Sequence, residues 1–428
     1  MPSIHPFRSL ISLMLMLIVV FTALPARAVT LLRDPDIEHS LNQLAAPVLR
    51  AAGLGGNIRV LVVKDSRLNA FVIDSKHVFI HSGMLLRLDS AAEFQAVVAH
   101  EAAHIANGHI ARRMANLGTA RTAAGLGMAL AAIAAAAGAD PSAAAGIAIG
   151  TNSSANRMFL AHTRAEEASA DQSGVRYMVK AGVDPKAAVD LHEMFRGQES
   201  LSASRRDPYT RSHPLSRDRV RALKGFVAGY GGKTKANPTA DYWFARAKGK
   251  LSGFIRSPKW TLLRAKDSPS KDIRAMRESI AHHRRSNRTK ALSAINHAIA
   301  MRPKDPFYHE LKGQILLENR QFGAAVAAYK NAVALAPRNA LILGGYGRAQ
   351  LAAGHPKAAR ATLEKARARD FRDARVLRDL GGAYARTGNN GMASAVTAER
   401  YALQGRLKDA GIHAKRAMGL LPRGSAAW

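Results

Sequence analysis

The sequence HEAAH at residues 100–104 places two imidazoles and a carboxylate at a spacing suited to metal chemistry. It lies in residues 94–110, where apolar side chains recur at helical intervals. Residues four apart on a helix project from one face, so His100 and His104 can bind one metal ion with Glu101 beside them. Two histidines and a carboxylate that acts on the metal-bound water are typical of zinc peptidases. The alternative is a helix with two surface histidines.

A catalytic zinc site uses three protein ligands and leaves one position for water, so a third ligand is needed downstream. The chain has no cysteine, so this ligand must be His, Asp or Glu. Glu167 is the best candidate, because it lies four residues before Asp171 in a segment with helical spacing and the two share a face. Asp171 can then accept a hydrogen bond from a metal-binding histidine. Glu166 is the rival ligand, but it points about 100° away on the same helix. A solvated acidic helix face is the alternative to a site.

Two further histidines invite attention. His109 lies nine residues after His100, about 180° around a helix, so we expect it to face away unless the helix breaks at Gly108. His213 lies in a basic loop, where a turn ahead of the next helix is the simpler interpretation.

The elements that must position these residues follow an α+β order. Residues 35–52 predict a helix, and Asp89-Ser90 offers an N-cap for the helix that carries HEAAH. Three segments rich in β-branched and aromatic residues predict strands: residues 57–64, 70–73 and 77–81. We expect a small sheet beside the active helix, with Val78–Ile80 as the edge strand that binds an extended substrate by main-chain hydrogen bonds.

Residues 272–422 carry an internal period of 34 residues, which is the tetratricopeptide period. The pattern is strongest in residues 306–371, where small residues and tyrosine recur at the helix-packing positions, and we count about four and a half units. Stacked helix pairs of this kind form a superhelix with a concave binding face. An ordinary helical bundle is the alternative.

The predicted fold is therefore α+β. A mostly helical zincin-type metalloprotease domain with a small sheet occupies residues 29–230, and an all-α tetratricopeptide-repeat superhelix occupies residues 272–428, with a helical linker between them.

The N-terminus has the pattern of a secretory signal peptide. The 15-residue apolar run Leu10–Leu24 precedes an A-x-A site, so we expect cleavage after Ala28 and export to the bacterial periplasm. An uncleaved anchor is the alternative, although the run is shorter than the ~20 residues that span a membrane. Residues 121–157 are mostly Ala, Gly and Ile, and they predict either two Ala-rich helices or a lid or membrane-apposed hairpin.

The formal charge of +32 is unevenly distributed. Residues 1–200 hold 18 basic and 16 acidic residues, whereas residues 201–428 hold 45 and 15. Such a field attracts an anionic membrane surface or acidic partners. We exclude nucleic acid, because no basic stretch interleaved with aromatics is present. A basic surface without a partner is the alternative.

On these motifs the chain resembles the metallopeptidase family that includes HtpX and the CAAX prenyl proteases. The matching pieces are HEAAH at residues 100–104, EASAD at residues 167–171 and SHP at residues 212–214, together with the export signal and the repeats. Ser169 departs from the pattern, because many relatives have a second acid there, and the local charge is lower.

The resemblance implies one zinc ion bound by His100, His104 and Glu167. It implies Glu101 as the catalytic acid and base, and Asp171 as a supporting acid or proton donor.

The resemblance also brings His213 near the zinc, where it either helps to stabilise the reacting oxyanion or caps the metal in a resting state. Exported relatives act in outer-membrane β-barrel assembly. We therefore expect an exported zinc endopeptidase that degrades misfolded or stalled envelope proteins, with repeats that dock substrate or the β-barrel assembly machinery. The alternative is a repeat-domain chaperone or scaffold with a latent metal site.

Overall fold

A computed structural model describes residues 30–56, 58–112, 115, 164–202, 205–214, 216–230 and 236–428. The predicted signal peptide and the Ala-rich segment at residues 121–157 lie outside these residues. Among the described helices, none is long and apolar enough to cross a membrane. The described chain is mostly helical with one small sheet, followed by helical repeats, which confirms the predicted fold class.

The sheet is built from four short strands: β1 (Leu31–Leu32), β2 (Arg59–Val63), β3 (Ala70–Val72) and β4 (His77–His81). Their order is β1-β2-β4-β3, with β2 and β4 parallel and the two outer pairs antiparallel. Our choice of Val78–Ile80 as the edge strand is wrong, because the hairpin between β3 and β4 folds β3 against the outer side of β4. The outer edges of the described sheet belong to β1 and β3.

The described helices of the N-terminal part, residues 30–230, are α1 (Pro35–Ala51), α2 (Ser82–Arg87), α3 (Ala91–Ala106), α4 (residues 164–180), α5 (Lys186–Met194), α6 (Pro208–Ser212) and α7 (Arg217–Gly229). The helix that carries HEAAH is α3, and its N-cap is Ser90, whose Oγ accepts a hydrogen bond from the Glu93 N–H at 3.1 Å. It is buried on nearly all sides between α1, the sheet and α5, as a central core helix should be. Its position is therefore determined by packing around its whole circumference.

A long helix, α8 (Pro238–Ile255), and a short one, α9 (Pro258–Ala265), lead into the repeats. The repeat helices pair as α10 (Lys271–Arg284) with α11 (Arg288–Met301), α12 (Pro306–Glu318) with α13 (Phe322–Leu335), α14 (Ala340–Ala352) with α15 (Pro356–Arg369), and α16 (Ala374–Arg386) with α17 (Asn390–Leu403). The last described helix is α18 (Leu407–Leu420).

The small residues of the repeats permit close helix packing. A Cβ atom added at Gly313 would lie 2.6 Å from Cδ2 of Tyr329, and one at Gly345 would lie 2.5 Å from Cε1 of the same ring. Glycine at both positions lets one tyrosine fill the space between three helices. This packing explains why the repeat period is visible in the sequence.

Within the described residues, buried ionic contacts connect the repeats to the N-terminal part in two regions. At the first, the fully buried Arg246 on α8 binds Asp36 through Nε at 2.7 Å and Asp305 through Nη2 at 2.9 Å. At the second, Asp370 accepts hydrogen bonds from Arg33 at 2.7 Å and Arg59 at 3.2 Å. The repeats are thus attached to the N-terminal part near their start and again after α15.

Candidate metal centre

The helix α3 presents the HEAAH side chains into the protein interior. His100 is 5% exposed, and Glu101 and His104 are fully buried. The Nε2 atoms of the two histidines lie 3.1 Å apart, as expected for residues one helical turn apart on a shared face. The interpretation of these residues as surface histidines is therefore wrong.

Helix α4 brings Glu167 to the same point. Its Oε2 lies 3.2 Å from His100 Nε2, and its Oε1 lies 3.3 Å from His104 Nε2. His213 completes the group, with Nδ1 at 3.0 Å from Glu167 Oε2 and 3.2 Å from His100 Nε2. Glu166 is also buried, but it is not part of this group.

These four buried side chains fit a metal ion. Their donor atoms all lie within 4.8 Å of one another. In a tetrahedral site with metal–nitrogen distances of about 2.0–2.1 Å, neighbouring ligand atoms stand about 3.3 Å apart, and the measured separations of 3.0–3.3 Å are close to that value. The imidazole nitrogens and the carboxylate converge on one point, and zinc is among the metals that bind such donor sets.

Arg219 connects two acids of the site and was missed at the level of sequence. Its Nε lies 2.5 Å from Asp171 Oδ2, and its Nη1 lies 3.0 Å from Glu167 Oε2. Asp171 Oδ1 in turn lies 3.1 Å from His100 Nδ1. Asp171 therefore contacts the histidine ring on the nitrogen opposite the converging group, as predicted. Arg219 lies in a basic segment, three residues after the N-cap Ser216 of α7, and nothing in that local pattern indicates its burial against two acids.

We expected His109 to face away unless the helix breaks at Gly108, and the helix does break there. Helix α3 ends at Ala106, and Gly108 adopts a φ of 70°, which turns the chain back. His109 is 2% exposed, and its Nδ1 lies 3.0 Å from His104 Nδ1. It lies beside the group of four and is not a member of it.

Burial and charge shift the protonation of these residues in different directions. Burial alone would lower the pKa of His100, but its hydrogen bonds with Asp171 and Glu167 outweigh burial and raise the pKa to about 9. Burial dominates at His104 and lowers its pKa to about 3. Burial alone would raise the pKa values of Glu167 and Asp171. The surrounding histidines instead hold the pKa of Glu167 well below its usual range, and the Arg219 guanidinium holds the pKa of Asp171 below its usual range. Both acids are therefore carboxylates at neutral pH.

His213 lies at the end of α6, and the chain turns there before α7, as the local sequence predicts. Its side chain nevertheless enters the site, where Nε2 lies 3.3 Å from Glu101 Oε1 and 3.4 Å from the Ala70 carbonyl oxygen on β3. Tyr209, a second residue that sequence reasoning missed, packs its ring 4.7 Å from the His213 ring and 4.9 Å from that of Phe195. These contacts place His213 between the sheet edge and Glu101.

Comparison with known proteins agrees with this geometry. The Peptidase family M48 profile matches residues 32–227, and a tetratricopeptide-repeat profile matches residues 316–380. The β-barrel assembly-enhancing protease of Escherichia coli (strain K12) is 25% identical over 400 residues, which cover 89% of this chain and 78% of that protein. A Vibrio cholerae protein provisionally given the same name is 29% identical over 221 residues, which cover 51% of this chain and 44% of that protein.

The solved structure of YrrB, a tetratricopeptide-repeat protein, aligns with 40% of this chain and 91% of its own chain at 15% identity and a TM-score of 0.33, which is too low to carry an argument. The two profiles and the relatives that share one name are consistent with the HEAAH–Glu167 geometry. Residues 32–227 of this chain thus form a metallopeptidase domain of peptidase family M48, and tetratricopeptide repeats follow it.

Proposed function

We propose that this protein is an exported zinc-dependent endopeptidase that degrades misfolded or stalled outer-membrane proteins. The observation that carries the proposal is the convergence of His100, His104 and Glu167 on one point, with Glu101 fully buried beside them. A scaffold has no need of a buried carboxylate in that position, whereas peptide hydrolysis needs a group there that transfers protons.

In this proposal His100, His104 and Glu167 hold the zinc. Bound zinc would supply a Lewis acid that polarises the peptide carbonyl and lowers the pKa of water towards ~7. Glu101 takes the proton of the attacking water and delivers it to the leaving nitrogen. Asp171, held by Arg219, orients the His100 ring and keeps its Nδ1 hydrogen-bonded.

We assign His213 to a resting arrangement. Its Nδ1 faces the same point as the three proposed ligands, so all four positions of a tetrahedral site would be filled by protein. A catalytic site must leave one position open, so His213 has to withdraw before the reaction. A withdrawn His213 that remained near Glu101 could then serve the reacting oxyanion, which is its other proposed role.

We propose β3 as the edge that binds substrate, in place of Val78–Ile80. It is an outer strand of the described sheet, and the Ala70 carbonyl oxygen already lies beside His213. An extended segment added to this edge would be recognised through its main chain, with little selection of side chains. That mode suits a protease whose substrates are unfolded strands.

The relatives named β-barrel assembly-enhancing proteases support an envelope role. We propose that the repeats dock the polypeptide substrate or the β-barrel assembly machinery, and that the basic C-terminal half favours anionic membrane surfaces.

Casein digestion with and without a chelator tests the enzyme against the scaffold interpretation. Glu101→Gln should retain one zinc per chain and lose cleavage by at least about a hundredfold, since general acid–base catalysis contributes 10²–10⁴. Glu167→Gln should lose the zinc. Glu166→Gln, a change of the adjacent buried carboxylate on α4, is the matched control and should keep it. Undiminished cleavage by Glu101→Gln would refute the mechanism, and full zinc retention by Glu167→Gln would refute the ligand set.

A further inference from the structure

A cleft of about 550 Å³ lies between β1 and the repeats, whereas the metal centre lies beside β3, the other outer strand of the described sheet. One wall is the N-terminal segment that includes Leu31 and Arg33. The other wall is formed by the first helices of three repeats, α12, α14 and α16, including Leu341 and Val376. The cleft volume is typical of ligand sites.

The main chain of β1 directs one pair of hydrogen-bonding groups away from β2, at a residue that lines this cleft. Thr30 pairs with Lys64, whose N–H donates to the Thr30 carbonyl at 2.8 Å, and Leu32 pairs with Val62. In an antiparallel ladder alternate residues bond to the partner strand, so the N–H and C=O of Leu31 point away from β2 to the outer edge. Leu31 also lines the cleft. An outer strand of this kind is a template for another extended chain.

The charge of the cleft differs from that of the whole protein. Five carboxylates and four basic side chains line it, in a chain whose formal net charge is +32. Glu310 is 6% exposed, and its Oε2 makes no hydrogen bond within the described residues, although the Lys250 ammonium lies 3.7 Å away. Anionic lipid is therefore disfavoured here. A helix is also disfavoured, because its main-chain groups are already bonded internally and cannot pair with Leu31.

We propose that this cleft is a second substrate site, which binds an extended polypeptide segment with apolar side chains as an added strand on β1. The inference rests on the proposed function, because it makes the cleft a holding site for the polypeptide that is cut elsewhere. Strands in a sheet are about 4.8 Å apart, so the β1 edge lies about 14 Å from β3, where we place the scissile segment. A peptide of about six residues that fills the β3 site cannot also reach β1, whereas an unfolded protein can.

Leu31→Pro tests the main-chain pairing. Proline removes the outward N–H and is tolerated at the start of an edge strand, while Leu31→Ala trims the side chain and keeps the N–H. With β-casein as the substrate, Leu31→Pro should raise KM roughly tenfold, as expected for a lost hydrogen bond. Leu31→Ala should raise KM by a smaller factor, because it keeps the N–H. Cleavage of a six-residue quenched peptide should be unchanged in both variants.

Leu341→Arg tests the repeat wall, and Ile412→Arg, at a 57% exposed position on α18 outside the cleft, is its matched control. Only Leu341→Arg should raise KM for β-casein. Binding of fluorescent β-casein to the Glu101→Gln chain, followed by anisotropy, keeps the test independent of catalysis. Weaker β-casein binding when Leu31→Pro is added to the Glu101→Gln chain supports polypeptide binding at the cleft, even if the wild-type protein shows no proteolysis. Unchanged β-casein binding in folded Leu31→Pro and Leu341→Arg proteins would overturn the proposal, and sensitivity to Leu341→Arg alone would overturn strand addition.

Discussion

Zinc binding to this site should be coupled to the loss of a proton from His100. Without metal, hydrogen bonds with Asp171 and Glu167 outweigh burial and raise the His100 pKa to about 9. A metal ligand must be neutral imidazole, so below that pH a proton has to leave before zinc can bind. The apparent affinity should therefore rise about tenfold for each pH unit from pH 6 towards pH 9. At pH 7, about two pH units below the pKa, the coupling weakens binding about a hundredfold, or about 3 kcal/mol. His104, whose pKa is about 3, contributes no proton in this range.

The assay is a competitive zinc titration against a chelating dye at pH 6, 7 and 8, in Glu101→Gln to prevent self-digestion. Calorimetry in two buffers with different ionisation enthalpies should show that zinc binding at pH 7 releases at least about one proton. Asp171→Asn removes the carboxylate that stabilises the His100 proton, so its pH dependence should be weaker. An affinity that is constant from pH 6 to pH 8 in the folded protein would refute this account of the site.

Two further predictions concern buried contacts. Arg246→Met removes the guanidinium that joins buried Asp36 to partly buried Asp305, and it leaves Asp36 with a more distant cation, the Lys250 ammonium at 3.7 Å. It should lower the free energy of unfolding by about 3 kcal/mol in urea titrations. Lys186→Met changes an exposed pair and should not shift the midpoint, so equal midpoints for the two variants would contradict the buried pairing. His109→Leu removes the imidazole nitrogen that lies 3.0 Å from His104 Nδ1 and should raise the zinc dissociation constant about 10–100-fold. His109→Asn places an amide oxygen near the same position and should restore much of the affinity, because a zinc-bound His104 needs an acceptor for its Nδ1–H. A zinc affinity of His109→Leu equal to that of the wild type would exclude a positioning role for His109.

The parts of the site that were predicted depend on local spacing. His100 and His104 share a face because they are four residues apart on a helix, and no distant contact alters that. Glu167 was preferred over Glu166 by the same rule, and the structure places Glu167 in the group of four. The repeats were visible because each helix pair solves the same packing problem at the same positions, such as Gly313 against a tyrosine ring.

The parts that were missed depend on contacts between distant segments or on one unusual backbone conformation. The strand order depends on the side of β4 against which β3 packs. The alternation of apolar and polar side chains along a strand does not indicate that side. His109 reaches His104 only because Gly108 adopts a positive φ. Arg219 lies 48 residues from Asp171, and a lone arginine in a basic segment gives no sign that it is buried against two acids.

The contact between Arg33 and Asp370 joins residues 337 positions apart. Arg33 emerges early during synthesis, whereas Asp370 and the Arg246 partner Asp305 emerge late. Contacts of such long range form slowly, because a long loop must close before they contribute stability. The N-terminal segment therefore lacks these ionic partners until the repeats have folded. An incomplete chain released early would carry a less stable peptidase domain, so hydrolytic capacity in the cell would follow completion of the whole polypeptide.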